Sequence, residues 1–292
     1  MNQGLKIVVL AKQVPDTRNV GKDAMKADGT VNRAALPAIF NPEDLNALEQ
    51  ALRLKDTFPG TTVTILTMGP FRAAEIIREA MFRGADGGIL VTDRKFAGAD
   101  TLATSYTIAA AIRKINPDMI IAGRQAIDGD TAQVGPQVAE KLGWPQITYA
   151  EEVLAIKDRE VTVRRRLEHG VEVVACKLPM VVTVNASAPD CRPRNAKLVM
   201  KFKHARTLSE VQEMDEDYYL GLRSERCYLT IPEWGASDLD VDEQQLGLSG
   251  SPTKVKKIEN IVFQAKESKR LTASDEDISC LIKELVSSHT LG

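Results

Sequence analysis

The chain has 292 residues, 43% hydrophobic and 27% charged, a composition typical of soluble globular proteins and unlike that of collagen-like, coiled-coil or disordered chains. A chain of this length buries roughly three quarters of its unfolded surface, so it has a sizeable core. Its 38 Lys and Arg against 40 Asp and Glu give a net charge of −2, which provides no basic field for a polyanion, and nucleic acid is not an expected partner.

Targeting, disulfide and metal signals are lacking in the sequence. No apolar stretch reaches the roughly 18 to 20 residues that a membrane span needs, and the first residues do not have the layout of a cleavable signal. The four cysteines and three histidines are scattered without metal-ligand spacing. We therefore expect a cytoplasmic protein with no transmembrane segment, disulfide framework or metal site.

The first half of the chain predicts alternating strands and helices. Four short runs rich in Val and Ile indicate buried parallel strands, at residues 6–14, 61–67, 88–92 and 119–122. With only seven Phe, five Tyr and two Trp in the chain, the core must be mostly aliphatic, as in a parallel sheet covered by helices.

Four helices are predicted in the same region. The first begins after Asn41, the expected N-cap, with Pro42 in its first position and two acidic residues behind it. The others are predicted at residues 70–82, 100–114 and 133–142, with Gly84 and Gly143 as the C-caps of the first and last of these. Such βα units imply right-handed crossovers and a doubly wound sheet.

The pattern changes in the second half of the chain. Residues 160–164 and 171–175 flank a turn at 168–170 and predict an antiparallel hairpin, and residues 179–184 predict another buried strand. Residues 247–252 are interpreted as a linker, and a final helix is predicted at 274–286 with Ser274 as its N-cap. We expect an α/β fold with a doubly wound, mostly parallel, Rossmann-like sheet, an added β-hairpin and a C-terminal arm.

Ligands of such sheets bind beyond the carboxyl ends of the strands. The first strand is not followed by the G-x-G-x-x-G of a dinucleotide-binding unit, which argues against an ordinary NAD dehydrogenase. After the third strand, Asp100, Thr101 and Thr104 stand at a helix start, where free N–H groups and the helix dipole attract phosphate. Helix capping by Asp100 with small residues packed behind it is the competing interpretation, and spacing alone does not separate the two.

The most informative run, residues 123–136 (GRQAIDGDTAQVGP), follows the fourth strand. Acidic residues beside glycines, followed by a Thr at a helix start, bring backbone N–H groups, a hydroxyl and carboxylates into one turn, which suits a ribose and a phosphate. The run lacks the regularly spaced oxygen ligands and the closing Glu of a calcium loop. An ordinary polar loop remains the alternative.

Several separated motifs resemble those of the β subunit of electron transfer flavoprotein, in the same order along the chain. They are the run 123–136, residues 100–105 (DTLATS), residues 41–44 (NPED) and residues 177–179 (KLP). The resemblance covers nearly the whole chain. It implies a heterodimer with a larger α subunit, in which the β subunit has a nucleotide-binding fold and its C-terminal arm embraces the partner.

The resemblance also separates two kinds of member. Simple members hold AMP as a structural ligand, lack the DTLATS string and carry a more acidic, Cys-containing loop in place of 123–136. In electron-bifurcating members the same pocket holds a second FAD, which takes hydride from NADH. Residues 100–105 and 129–132 resemble the bifurcating type, and a second helix start with Thr101 and Thr104 suits the added charge of the FAD pyrophosphate.

The function implied is that of a subunit that binds FAD, accepts electrons from NADH and passes them by flavin-based bifurcation to a dehydrogenase and to ferredoxin or flavodoxin. The alternative is a non-bifurcating subunit that holds structural AMP and docks acyl-CoA dehydrogenase-type partners. In both cases no side chain is expected to be catalytic. The flavin carries the chemistry, and the protein orients and tunes it.

By matching position, the resemblance assigns residues and regions. The domains expected are a nucleotide- or FAD-binding domain at 1–185, a partner recognition region at 186–206 and an arm at 207–292 that docks on the α subunit. Leu10, Asn41 and Met68 are expected to line the adenosine pocket, and Asp100, Thr101 and Thr104 to stand at the third helix. The ribose and first phosphate are expected to contact Gly123, Arg124, Gln125, Ala126, Ile127, Asp128, Gly129, Asp130, Thr131, Ala132, Gln133 and Val134.

Overall fold

The computed structural model describes residues 4–16, 36–212, 221, 225–253 and 270–288, so parts of the predicted first domain and of the predicted arm lie outside the described residues. The helices are α1 (Pro42–Thr57), α2 (Ala74–Arg83), α3 (Thr101–Ile115), α4 (Val134–Leu142), α5 (Ala196–Phe202), α6 (Leu208–Gln212) and α7 (Asp275–Ser287). The strands are β1 (Lys6–Leu10), β2 (Gln13–Pro15), β3 (Ala38–Phe40), β4 (Thr62–Met68), β5 (Gly87–Val91), β6 (Met119–Gly123), β7 (Gln146–Lys157), β8 (Glu160–Leu167), β9 (Gly170–Lys177), β10 (Met180–Val184) and β11 (Glu233–Trp234).

One nine-stranded sheet has the order β11-β5-β4-β1-β6-β10-β7-β8-β9. Neighbours from β11 to β7 are parallel, whereas β8 and β9 form the predicted antiparallel hairpin. The chain moves outward from β1 through β4 to β5 and then returns to the other side of β1 at β6. The predicted doubly wound sheet is confirmed, and the strand order reverses between β1 and β6, where ligands of such sheets bind.

Helices cover both faces of the sheet. Successive strand residues point to opposite faces, so Ile7 packs in one core cluster with Leu48 of α1, while Val8 packs in the other with Ile112 of α3. All four side chains are fully buried. Among the described helices, none has both the length and the apolarity required to span a bilayer.

The predicted helix ends are mostly confirmed. Asp100 caps α3 through its carboxylate, Ser274 caps α7 through its hydroxyl, and Gly84 and Gly143 end α2 and α4 with positive φ angles. The helix predicted from residue 70 starts with a 3-10 turn at Phe71–Ala73 before α2 begins. Asn41 precedes α1 but makes no capping hydrogen bond.

One prediction about strands needs correction, and one long strand was missed. The apolar run 6–14 is two strands, because Lys12 N donates to the Asp44 carboxylate and the chain then pairs, as β2, with β3 in a separate two-stranded sheet. The long strand β7 was not predicted, since its register shifts twice against β8 and Tyr149 lies in it with a φ of 58°. These irregularities interrupt the period of two that identifies a strand in sequence.

The segment interpreted as a linker at residues 247–252 is packed against the sheet domain. It contains turns and no helix or strand, as predicted, but Leu248 N donates to Ala97 O and the Ser251 hydroxyl accepts from Asp100 N at 2.8 Å. Shortly before it, β11 pairs with β5 as an edge strand of the main sheet. Residues from the predicted arm region therefore complete the domain beside the third strand and helix.

Candidate nucleotide-binding cleft

A cleft of about 1130 Å³ opens at the carboxyl ends of the central strands. Its floor includes Leu10 at the end of β1, Ala11 just after it, and Ala122 and Gly123 at the end of β6, so it lies at the point where the strand order reverses. Its volume exceeds the range of roughly 300 to 1000 Å³ typical of small-molecule sites. The cleft has room for a ligand larger than a mononucleotide.

Most of the residues predicted for the site line this cleft. Those on its wall are Leu10, Met68, Asp100, Thr101, Thr104, Gly123, Arg124, Gln125, Ala126, Gly129, Asp130, Thr131, Ala132, Gln133 and Val134. Asn41, Ile127 and Asp128 are not on the wall. Asn41 is fully buried, and Asp128 pairs with Lys12, whose Nζ lies 2.8 Å from it.

The first turn of α1 holds the loop that follows β6. Three acceptor side chains from this turn bind alternate N–H groups of the loop, as Gly123 N donates to Asp44 at 3.0 Å, Gln125 N to Glu43 at 3.0 Å and Ile127 N to Asn41 at 3.2 Å. Hydrogen bonds from N–H groups to charged acceptors contribute about 1.5 to 3 kcal/mol each. We call Asn41, Glu43 and Asp44 the acceptor turn.

The role of Asn41 therefore differs from the prediction. Its side chain both accepts from Ile127 N and donates to Gln125 O, at 2.9 Å, and its exposed fraction is 0%. With both polar atoms used by the loop, Asn41 shapes the cleft from behind and does not line it. The NPED residues therefore bind the loop through side-chain hydrogen bonds and also begin α1.

Asp44 is the most strongly perturbed titratable group in the cleft. Its Oδ1 accepts from Gly123 N and its Oδ2 from Lys12 N, at 3.0 and 2.9 Å. Burial raises the pKa of Asp44 to about 7, although these hydrogen bonds oppose the rise. Asp44 is therefore a carboxyl group whose charge changes near neutral pH.

Gly123 is required by the close approach of α1. A Cβ at this position would lie 2.4 Å from Asp44 Oδ1 and 2.7 Å from the carbonyl carbon of Glu43. The second contact is with backbone, which cannot rotate away. The predicted glycine thus serves helix packing behind the cleft.

The start of α3 is capped by its own carboxylate. Asp100 Oδ1 accepts from Leu102 N and Ala103 N at 2.9 and 3.0 Å, and Oδ2 accepts from the Thr253 hydroxyl at 2.6 Å. Burial raises the pKa of Asp100, but the hydrogen bonds from Thr253 and these N–H groups outweigh it and hold the pKa below its usual range. The capping interpretation is confirmed, and two of the N–H groups expected to attract phosphate are already bound.

The start of α4 is the better anion site. Gln133 precedes it without a side-chain capping bond, and the first N–H groups of a helix have no intrahelical acceptor. Asp130 and Ala132, with φ angles of 49° and 52°, bend the loop into this helix, a conformation that costs non-glycine residues about 1 to 2 kcal/mol and is concentrated at ligand sites. Thr101 Oγ1 donates to Gln133 Oε1 at 2.8 Å, so the starts of α3 and α4 meet at the cleft.

Comparison with known proteins decides the family. Residues 28–207 match the electron transfer flavoprotein domain. The chain belongs to the electron transfer flavoprotein family. It is 46% identical over 257 residues to the electron transfer flavoprotein subunit beta of Clostridium acetobutylicum, with 87% of each chain covered.

Two further relatives are named as subunits of reductase systems. The chain is 41% identical over 254 residues to the caffeyl-CoA reductase-Etf complex subunit CarD of Acetobacterium woodii, with 86% of each chain covered. It is 52% identical over 182 residues to the acryloyl-CoA reductase electron transfer subunit gamma of Anaerotignum propionicum, which covers 61% of this chain and 67% of that one. The resemblance to electron transfer flavoprotein β subunits is confirmed.

We call the part of the cleft beside β4 and β5 its outer half and the part beside β1 and β6 its inner half, and the outer half contains residues that were not among those predicted for the site. It is lined by Phe71 after β4, Arg94 and Phe96 after β5, and Thr253 from the C-terminal region. The ring of Phe71 is 48% exposed. Phe71 and Arg94 follow strands, a position that marks them as candidates, but Thr253 is brought in by tertiary contacts that no local pattern reports.

Arg124 contributes a fixed positive charge to the wall. Its guanidinium donates to Glu43 Oε1 at 3.1 Å and lies 5.8 Å from the centre of the Tyr149 ring. The hydrogen bond from Arg124 to Glu43 raises the pKa of Arg124, so the guanidinium stays charged. A cation held in this way suits an anionic or electron-rich ligand.

Proposed function

We propose that this chain is the FAD-holding β subunit of an electron-bifurcating electron transfer flavoprotein. The observation that supports it best is the cleft, whose volume of about 1130 Å³ extends from the start of α4 to the outer half at Phe71 and Arg94. An AMP site needs only the inner half. The family itself is one of flavin-associated electron carriers.

The residues present fit FAD with one change from the sequence-based prediction. The uncapped start of α4 suits a phosphate, whereas the start of α3 carries the charged Asp100 and offers the hydroxyls of Thr101 and Thr104 instead. We place the phosphates nearer α4. When bound, FAD supplies hydride acceptance from NADH and one-electron transfer to the acceptors, while the chain binds the nucleotide, orients it and excludes water.

Counting flavins tests this function. In the complex with its partner subunit we expect one FAD in each subunit and bleaching of flavin absorbance by NADH. The double substitution Thr101→Leu with Thr104→Leu places bulk in the cleft and is expected to remove the FAD of this subunit. Cofactor released on denaturation is identified and counted by chromatography.

The matched control changes two exposed threonines outside the cleft, Thr57→Leu and Thr62→Leu, and should leave both flavins in place. One FAD plus one AMP in the unsubstituted complex would contradict bifurcation and favour the second candidate, a subunit with structural AMP. That candidate is supported by the inner half of the cleft alone, which suffices for a mononucleotide.

We also propose the heterodimer with an α subunit, and α7 supports it. Four of its apolar side chains recur at helical spacing on one face and are exposed: Ile278 by 46%, Leu281 by 39%, Ile282 by 51% and Val286 by 53%. A stripe of this kind needs a covering surface to be stable in water. The arm region therefore contributes an apolar docking face to the α subunit.

Introducing negative charge into the apolar stripe of α7 should weaken its binding to the α subunit. Leu281→Asp with Ile282→Asp is expected to weaken the affinity between the subunits at least about tenfold, since buried interface anchors commonly contribute about 2 kcal/mol or more. The control Lys283→Asp makes the net charge more negative by the same amount, but on the opposite face of α7. Affinity is measured by biolayer interferometry, and equal effects of the variants would contradict docking through the stripe.

The partner recognition region at 186–206 is proposed to dock a dehydrogenase. It is anchored on the domain, since Arg192 Nε lies 3.0 Å from Glu49 Oε2 and Asn46 Nδ2 donates to Ala188 O at 3.0 Å. From this anchored base α5 presents Met200, which is 63% exposed.

Both reductase-named relatives act in systems named for CoA thioesters, which supports an acyl-CoA dehydrogenase-type partner. Ferredoxin or flavodoxin is proposed as the low-potential acceptor.

A further inference from the structure

One carboxyl group joins the two strand ends that form the floor of the cleft. Asp44 Oδ2 accepts from Lys12 N, just beyond β1, and Asp44 Oδ1 accepts from Gly123 N, the last residue of β6. The residue is only 6% exposed. β1 and β6 are neighbours in the sheet, but their register ends at Leu10 and Ala122, so the link beyond that point runs through Asp44.

We propose that Asp44 is a positioning residue that fixes the ends of β1 and β6 at the spacing the nucleotide needs, and that it does so only as a carboxylate. The inference rests on the proposed binding of FAD in this cleft. Asp44 acts on the ligand through Lys12 and through the loop that begins at Gly123. Its partners in the acceptor turn, Asn41 and Glu43, hold later residues of the same loop.

The chemistry of the two bonds explains why charge matters. The partners of Asp44 are all N–H donors, namely Lys12 N, Gly123 N and the Asn41 amide, so each carboxylate oxygen must be an acceptor. Protonation turns one oxygen into a hydroxyl donor that faces an N–H group, and one of the two bonds is lost. The freed N–H remains without its acceptor in a poorly solvated place, so the strand end that carries it moves away.

The charged groups around Asp44 come from three elements. Glu43 lies beside it on α1, Lys12 follows β1, and Arg124 follows β6. Lys12 Nζ is paired with Asp128 and Arg124 with Glu43. Burial raises the pKa of Asp44 to about 7. The carboxylate is therefore converted to the carboxylic acid in a pH range in which the folded protein can be studied.

The test is the pH dependence of FAD binding. FAD is titrated calorimetrically into the full-length chain at pH values from 6 to 8.5, because its pyrophosphate does not titrate in this range. If only the carboxylate form is competent, the apparent dissociation constant rises about tenfold from pH 8 to pH 6. Asp44→Asn is expected to bind weakly and with no such pH dependence.

Glu43→Gln is the matched control, because it perturbs the neighbouring acceptor and leaves Asp44 titratable. It should bind FAD more weakly at every pH and keep a rise in the dissociation constant toward acid, displaced to lower pH because the charge of Glu43 helps to raise the pKa of Asp44. A flat profile for the unsubstituted chain, or a rise of equal size in Asp44→Asn, would overturn the inference while leaving FAD binding intact. Absence of FAD binding at pH 8 in the unsubstituted chain would instead overturn the proposed function. Circular dichroism checks that each variant is folded.

Discussion

Replacing Gly123 by alanine is expected to lower FAD affinity about a hundredfold and to destabilise the fold. The new Cβ would lie 2.4 Å from Asp44 Oδ1 and 2.8 Å from Asp44 N, so the strand end and the first turn of α1 must separate. Separation removes the bonds from Gly123 N and Gln125 N to their carboxylates, at about 1.5 to 3 kcal/mol each. Overpacking of this kind costs a further 1 to 3 kcal/mol or so of stability.

Calorimetric titration with FAD and urea unfolding measure the two effects. Gly87→Ala is the matched control, because a Cβ at this strand position meets nothing within 4 Å and the residue is not on the cleft wall. It should change the free energy of unfolding by no more than about 0.5 kcal/mol. If Gly123→Ala behaved like Gly87→Ala, the acceptor turn would not be what holds the loop.

The second large effect expected is on the pH dependence of stability. The folded-state pKa of Asp44, about 7, lies above its ordinary value of 3.8, so the folded chain binds more protons than the unfolded chain between these pH values. The stabilising contribution is present in acid and lost as the pH rises through 7. Between pH 5 and pH 8 the chain should lose about 2 to 3 kcal/mol relative to Asp44→Asn.

Glu49→Gln is the control with the opposite sign. Burial raises the pKa of Glu49, but hydrogen bonds from Arg192 outweigh it, and the pKa lies below its usual value. Its stabilising contribution is therefore present at neutral pH and lost as the pH falls. Urea unfolding across the pH range measures both variants, and parallel stability profiles for Asp44→Asn and the unsubstituted chain would contradict a buried carboxyl with a raised pKa.

The alternation of strands and helices was predictable because its signals are local. Aliphatic runs marked the central strands, and Pro42, Asp100 and Gly143 marked helix ends by chemistry that acts within one turn. β7 was not predicted, because two register shifts and the left-handed backbone of Tyr149 break the alternation of its side chains. β11 was not predicted, because two residues are too few to show an alternation of apolar and polar side chains, and its partner β5 lies about 140 positions earlier.

The site was predictable as a region but not as a set of contacts. Residues that follow strands and stand at helix starts were expected to converge, and most of them do. Asn41 shows the limit, since a local rule gave it a capping role whereas its amide binds the loop more than 80 residues away. Asp44 was predicted only as an acid in a first helical turn, because its burial depends on the packing of α1 against β6.

The contact between Asp100 and Ser251 spans 151 residues of sequence, and it has a consequence for synthesis of the chain. Domains begin to fold from the N-terminal side while the rest is still being made. The strands at the floor of the cleft are complete once β10 has emerged, but the edge strand β11 and the wall that carries Thr253 exist only after residues 233–253 have also been made. Binding of the proposed cofactor would therefore follow formation of the central sheet, and a chain truncated before residue 233 should form its central sheet and lack a complete cleft.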